Sequence, residues 1–360
     1  MTKAYEPTQV PAAAGFCMPP EWDDHEATWI AWPHNVTDWP GKFHPIPWVF
    51  AEVVKHISED EEVRILVADT KMEHAARRTL ARADALRGKI TFYHVATNRC
   101  WTRDSLPTFV VNPRTKTLGA VKWRFNAWAK YDDWWDDDRA GEIIAKAIPE
   151  CCWFPRRRGS RQRIVLEGGA IDVNGQGLVL ATEECLLSAT QERNPGLSRT
   201  DYEEIFAEYL GASETLWLAG GIVGDDTHGH IDDVARFVAH DKIVVAVETH
   251  PDEHHYEILR QNVKRLQSYR NSSRRDLEVI EVPLPRPVYF AGQRLPASYS
   301  NFYITNRKVL VPTFNDPNDR IALNVLQSLF GDRTVVGIYC LDLVLGLGTL
   351  HCMTQQQPRA

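Results

Sequence analysis

The chain has 360 residues, of which 44% are hydrophobic and 25% charged, with a formal net charge of −7; that is the make-up of a soluble globular protein with a large core. The acidic balance argues against nucleic acid or an anionic membrane as partner and favours a cationic ligand; no apolar run approaches the ~18–20 residues that span a bilayer. Seven cysteines, an odd number without framework spacing, point to a reduced, cytoplasmic setting, and a homo-oligomer is compatible with these numbers.

In chain order, residues 1–17 read as a flexible N-terminal arm without a secretion-signal pattern, and 18–360 as a single domain. Strands are expected at 28–32, 63–67 and 90–94, with helices near 46–58 and 71–87. Four hairpins follow, each a pair of β-rich runs around a turn signal: 108–111 with 119–121 around Asn112-Pro113, 170–173 with 178–181 around Asn174-Gly175, 234–239 with 243–247 around His240-Asp241, and 301–305 with 309–312 around Asn306. From turn to turn the spacing is 62 residues (112 to 174), then 66 (174 to 240), then 66 (240 to 306). A fixed long period marks a repeat architecture. Helices are expected after the hairpins at 138–148, 200–211, 252–268 and 318–330, the second with a capping box at Thr200–Glu203, and single strands at 216–218, 277–282 and 334–339. The Pro-rich stretch 282–297 reads as a loop. A ββαβ unit repeated about five times predicts an α/β fold by radial repetition, a five-bladed α/β propeller.

The chemistry sits just before the turns. Asp104 lies eight residues before Asn112, Glu167 seven before Asn174, and His230 and Asp232 ten and eight before His240; Tyr299 and Ser300 lie seven and six before Asn306. Related units would bring these positions to one axis. Cys352 follows Gly346 and Gly348 at the end of the last apolar run and reads as a nucleophile delivered to that axis. Facing carboxylates repel unless a cation lies between them, and a planar guanidinium matches carboxylates with a fixed fork of donors. A thiolate beside a histidine can attack its electrophilic carbon. The other cysteines read as packed thiols, and His351 as a side chain alternating away from Cys352. Other readings stand beside these: an Arg103–Asp104 ion pair, a strand end at Glu167-Gly168-Gly169, and a metal site from His228, His230 and Asp232. The stretch Tyr131–Asp138 either complements a helix dipole or walls a cationic ligand with aromatic faces.

These residues stand within ordered motifs: Met18-Pro19-Pro20-Glu21-Trp22, Trp101-Thr102-Arg103-Asp104, Leu166-Glu167-Gly168-Gly169, Glu183-Glu184-Cys185-Leu186-Leu187, Arg193-Asn194-Pro195, Gly229-His230-Ile231-Asp232 and His351-Cys352-Met353-Thr354. Over this span the chain resembles the agmatine deiminases and related bacterial-type peptidylarginine deiminases, guanidino-modifying enzymes of the pentein superfamily. The resemblance implies Cys352 as nucleophile, His230 as general acid/base, Asp104 and Asp232 as guanidinium clamps, and Glu167 as a further catalytic and substrate carboxylate. It places Trp101, Arg103 and Gly348 at the substrate. It implies a small cationic guanidino substrate, agmatine before peptidylarginine, with no metal and no cofactor; amidino transfer is a third reading. The chain departs from the family's usual pattern at Leu106, His228, Leu347 and Thr349, so these positions bear on the substrate's tail.

Overall fold

The computed structural model describes residues 4–272 and 276–360. Its strands form several small sheets. In the first, His25–Ala31, Glu62–Val67 and Ile90–His94 run parallel, and the C-terminal Gln355–Pro358 lies antiparallel along the first of them. The ends of the chain therefore share one sheet.

Further sheets repeat one plan, an antiparallel pair and then a third strand parallel to the second. Thr108–Asn112, Thr117–Val121 and Cys151–Trp153 make one; Asp172–Val173, Leu178–Thr182 and Glu214–Leu218 the next. Ala235–Ala239, Lys242–Val247 and Glu278–Pro283 follow, then Tyr303–Ile304, Lys308–Thr313 and Thr334–Tyr339. A parallel third strand needs a crossover, supplied in turn by helices Trp135–Ala147, Arg199–Leu210, Tyr256–Ser272 and Pro317–Leu329. The architecture is a mixed α/β fold of small sheets.

The helix ends follow from local chemistry. Asp316 accepts from the Asn318 N–H and shares a capping box with Asp319, and Pro317 opens the helix. The box expected at Thr200–Glu203 is instead Ser198–Asp201: extended backbone at Ser198 (φ −89°, ψ 170°) aims its hydroxyl at the Asp201 N–H, and Gly211 at φ 72° ends the helix.

The hairpin turns do more than reverse the chain. The Asn174 amide donates to the His240 carbonyl at 2.8 Å, while the His240 Nδ1 lies 2.8 Å from the Asn174 carbonyl. Asn306 exchanges two bonds with the His25 backbone, at 2.7 and 3.0 Å. The turn side chains thus join one sheet to the next.

Three expectations need correction. Residues 282–297 hold a small hairpin, Tyr289–Phe290 with Gln293–Arg294, turned by Ala291 (φ 48°) and Gly292 (φ 82°). Cys352 does not end an apolar strand; it lies in a turn after the 3-10 segment Leu343–Gly346, and the strand follows it. The described part of the N-terminal arm is bonded along the second sheet, with the Cys152 N–H donating to the Tyr5 carbonyl at 2.9 Å and the Trp153 Nε1–H to the Gln9 carbonyl at 2.8 Å. Among the described residues, no helix is long and apolar enough to cross a membrane.

Candidate active site

The segments before the hairpins are short helical turns that present their polar side chains to a common point. Asp104 rides on Thr102–Ser105, Glu167 precedes Gly168–Ala170, and His230 precedes Ile231–Asp233. Each turn breaks the approach to a strand, so its side chain projects from the sheet's end. Glycine makes the convergence sterically feasible. A Cβ on Gly169 would lie 2.6 Å from the His230 Nδ1 and 3.0 and 3.1 Å from oxygens of Asp104 and Asp232. One on Gly348 would lie 3.0 Å from both the Cys352 Cβ and the Trp101 ring.

The structure brings Cys352, His230, Glu167, Asp104 and Asp232 together, all buried. The Cys352 Sγ is 3.7 Å from the Asp232 Oδ2. The His230 Nδ1 is 3.9 Å from Asp104 Oδ1, and its Nε2 is 3.7 Å from Glu167 Oε2. Cys352, Asp104, Trp101 and Gly348 line a cavity of about 620 Å³.

Burial pushes the Cys352 thiol well above its ordinary value, and the charges of Asp232, Asp233 and Asp104 push it the same way. Burial works against a charged His230, but Asp104, Cys185 and Glu167 overcome it and hold the imidazole well above its ordinary value. Asp104 is raised by burial, with Asp232 and Glu167 adding to it. Glu167 goes the other way. Burial would raise it, yet Arg193 at 3.2 Å and His230 bring it down to about 2. Asp232 is also lowered, because the hydrogen bond and charge of His351 outweigh burial.

Several neighbours had no signal in the repeat spacing. Asn301, rather than Tyr299 or Ser300, occupies the place before the fourth hairpin: its amide donates to the Cys352 Sγ at 3.1 Å, and its Oδ1 accepts from the His351 N–H at 3.1 Å. Tyr299 turns outward to Asp319. Trp128 donates from Nε1 to Asp104 Oδ2 at 2.9 Å, and the Gly169 N–H donates to Oδ1 at 3.0 Å, so both oxygens are fixed. His351 does not face away. Its turn conformation lets the two ring nitrogens reach Asp232 Oδ2 at 2.7 Å and Glu21 Oε2 at 2.8 Å.

Arg103, expected at the substrate, turns from the cavity. Its guanidinium lies 2.5 Å from Gln356 Oε1 and 3.3 Å from Glu21 Oε2. Glu21 also meets Arg236 at 3.0 Å, and Arg236 meets Asp172 at 2.9 Å. A buried carboxylate among two arginines and a histidine is held ionised; burial would raise Glu21, but Arg236, His351 and Arg103 bring it well below the usual range. This network lies behind His351 and so behind Asp232. An Arg103–Asp104 pair is not formed either, since Asp104 is taken by Trp128 and Gly169.

The metal reading from His228, His230 and Asp232 also fails on geometry. His228, at φ 65°, lies 3.1 Å from the Ser188 hydroxyl and 3.7 Å from Glu184, away from the other two. Among the described residues, donor atoms with metal-binding proximity occur at Glu167, Cys185 and His230, within 4.8 Å of one another, and at Glu248, Glu253 and His255. In the first group Arg193 already holds Glu167. Of the four departures from the family's pattern, Leu347 lines the cavity. Thr349 is buried and donates to Asn301 Oδ1 at 2.7 Å, and Leu106 lies in the hydrophobic core.

The chain is also similar to known proteins over nearly its whole length. The model of the Porphyromonas-type peptidyl-arginine deiminase family matches residues 17–358. The agmatine deiminase of Ectopseudomonas mendocina (strain ymp) is 34% identical over 372 aligned positions, covering 98% of each chain. Among solved structures, the agmatine deiminase of Enterococcus faecalis superposes with a TM-score of 0.88 at 32% identity, covering 99% of this chain and all of that one. A substrate-bound agmatine deiminase of C. jejuni superposes at 0.82 with 26% identity, covering 95% and 96%. Matched over nearly its whole length, the chain belongs to the family of bacterial-type peptidyl-arginine deiminases and agmatine deiminases.

Proposed function

We propose that the protein hydrolyses agmatine to N-carbamoylputrescine and ammonia through a covalent intermediate on Cys352. The observation that carries this is a set of buried polar atoms without a hydrogen-bond partner: Asp232 Oδ1, on the carboxylate whose other oxygen lies 3.7 Å from the Cys352 Sγ, and Glu167 Oε2 and His230 Nε2, which lie 3.7 Å from each other. Two ionised oxygens without donors are costly in a protein interior, and a planar guanidinium brings N–H donors and positive charge together. Asp104 supports the reading from the cavity wall, its oxygens oriented by Trp128 and Gly169. The agmatine deiminase relatives supply the likeness in substrate.

In this mechanism the free enzyme holds Cys352 as a thiol, because burial and three aspartates oppose a thiolate. The bound guanidinium supplies the missing cation, and the thiol releases its proton to solvent through the cavity, leaving a thiolate paired with the guanidinium. The Sγ lone pair attacks the guanidinium carbon, and the C=N π pair moves onto nitrogen. His230, protonated at the outset, gives its proton to the departing nitrogen and the C–N bond breaks with release of ammonia. The product is an S-alkylthiouronium on Cys352. The neutral imidazole then takes a proton from water, whose oxygen attacks the same carbon. Collapse breaks the C–S bond, the hydroxyl proton passes to the departing sulfur, and the ureido group and the Cys352 thiol remain. Asp104 and Asp232 hold the positive charge throughout, and Trp101 and Gly348 wall the reacting carbon.

The sheets of three or four strands are read as five blades about this site, a five-bladed α/β propeller spanning 18–360 as one domain, with 1–17 as an appended arm. The turn-side-chain links between neighbouring sheets support that arrangement. Seven cysteines, all free, fit a reducing, cytoplasmic setting. The test is a panel of agmatine, free arginine and an arginyl peptide assayed for ureido product. Agmatine should be turned over fastest, and a faster arginyl peptide would contradict the substrate.

A further inference from the structure

Beside the catalytic histidine lies a thiol that the reaction does not use. Cys185 is buried, and its sulfur lies within 4.8 Å of a carboxylate oxygen of Glu167 and a ring nitrogen of His230. Cys352 and Asp104 line the cavity, and Cys185 does not. The two edges of the His230 ring meet different surroundings. Nδ1 lies with Asp104 and Asp232 around Gly169, where a Cβ would come within 3.1 Å of all three. Nε2 faces Glu167 Oε2 at 3.7 Å, beyond the range of an N–H···O bond, and is buried without a hydrogen-bond partner.

Glu167 is not free to close that gap. Its Oε1 is held by Arg193 at 3.2 Å, and Arg193 is itself bonded to the Gln191 carbonyl at 2.9 Å and to the Thr227 carbonyl. Cys185, by contrast, is fixed to the histidine's own segment. Strand Leu178–Thr182 runs into the short helix Glu183–Leu187 with Thr182 as its N-cap. The Thr182 hydroxyl accepts from the Cys185 N–H at 3.0 Å and donates to the Gly229 carbonyl at 2.5 Å. That carbonyl belongs to the peptide that joins Gly229 to His230, so one hydroxyl sets the thiol against the imidazole. A Cβ on Gly229 would lie 3.0 Å from the Glu184 side chain, which leaves the two segments little room to slide.

We propose that Cys185 is a positioning residue for His230: its sulfur accepts the Nε2–H and keeps Nδ1 turned towards the substrate. The inference rests on the deiminase reading and names what aligns the acid/base group through both halves of the reaction. A thiol sulfur is a weak acceptor, but it is larger and more polarisable than oxygen, and active-site hydrogen bonds tighten in the substrate complex. His230 gives its proton from Nδ1 to the leaving nitrogen and takes the next from water at the same atom, while the Nε2–H stays on its sulfur partner. An acceptor at Nε2 also favours the imidazolium. The other charged groups facing the ring are Asp104, Glu167, Asp232 and Asp233, with Arg193 behind Glu167, and a substitution at Cys185 leaves all of them in place.

The test compares Cys185→Val, which keeps the volume without the acceptor, with Cys185→Ser, which keeps an acceptor. On agmatine, Cys185→Val should lower kcat by about 10-fold and move the alkaline limb of the kcat–pH profile down by about one pH unit, the size of a hydrogen bond to a charged group, while KM moves less than about 3-fold. Cys185→Ser should recover most of both losses. A packing role would lower the thermal midpoint of both variants and leave the pH profile in place; that result, or equal losses in the two variants, would overturn the proposal. Cys185→Ala supplies the acceptor-free comparison if the valine variant does not fold. The His230 ring is also titrated by NMR in histidine-labelled Cys352→Ala protein, its signal assigned with His230→Gln. Adding Cys185→Val should lower that midpoint, and an unmoved midpoint would count against Cys185. If no guanidine releases ammonia, the deiminase reading falls, and the NMR midpoint still decides for or against Cys185.

Discussion

The two ends of the cavity are built differently. The inner end draws its carboxylates and histidine from equivalent places, the short turns that open successive hairpins. There both Asp104 oxygens, one Asp232 oxygen and one Glu167 oxygen are already bonded. The outer end is assembled from unrelated connections: the 36–38 turn, Tyr131 before a helix, the Phe290 hairpin and the Leu345–Leu347 turn. On this account the repeated positions set the reaction, and the irregular connections set which guanidine is admitted. Substitutions at the inner end should therefore lower kcat, and those at the outer end should change KM and selectivity.

The largest effect belongs to Cys352→Ala, which should cut ammonia release from agmatine by at least about 10⁴-fold while leaving circular dichroism and the thermal midpoint close to wild type. Asp232→Asn comes next, with kcat down by about 10²–10³-fold; a change confined to KM would move Asp232 from the inner class to the outer one. Trp128→Phe removes a single donor to Asp104 and keeps the ring, so a loss of roughly 10-fold in kcat/KM is expected.

Acid stability probes the same end without turnover. Glu167 sits at about 2 in the folded protein against 4.5 ordinarily. A lowered folded value means that its stabilising contribution is present above about pH 4.5 and lost as pH falls towards 2. Urea midpoints measured over that window should decline less steeply in Glu167→Gln than in wild type. An identical slope would place the acid sensitivity in other carboxylates.

The smallest effect is at the outer end. Leu347 holds φ 67°, which costs a side-chain-bearing residue roughly 1–2 kcal/mol, whereas glycine there would add about 0.5–1 kcal/mol of unfolded-state entropy and forfeit the leucine's packing. Leu347→Gly should thus shift stability by less than about 1 kcal/mol, while raising kcat/KM a few-fold for guanidines with bulkier tails, read from a substrate series.

What could be read before the structure follows the same division. Turn-to-turn spacing located Asp104, Glu167, His230 and Asp232, because a repeated unit places equivalent residues equivalently. It erred by a residue or two in the last unit, where Asn301 takes the place expected for Tyr299 or Ser300, since the pairing there is only Tyr303–Ile304. Cys185, read as a packed thiol, is buried as expected but lies against His230 and Glu167. His351 was misjudged because strand alternation was applied to what is a turn, and Arg103 because its neighbours Trp101 and Asp104 do line the cavity. Asp38, Trp128 and Glu21 carry no period at all. Long-range packing alone brings them in, and a pattern within one unit cannot report it.

The most direct test of the central claim is intact-protein mass spectrometry after acid quench during turnover of agmatine. The account predicts a protein adduct with the mass of agmatine less ammonia, mapped by proteolysis to Cys352 and absent from Cys352→Ala. Steady ammonia release with no adduct at any quench time, or an adduct on Cys185 or another cysteine, would contradict it.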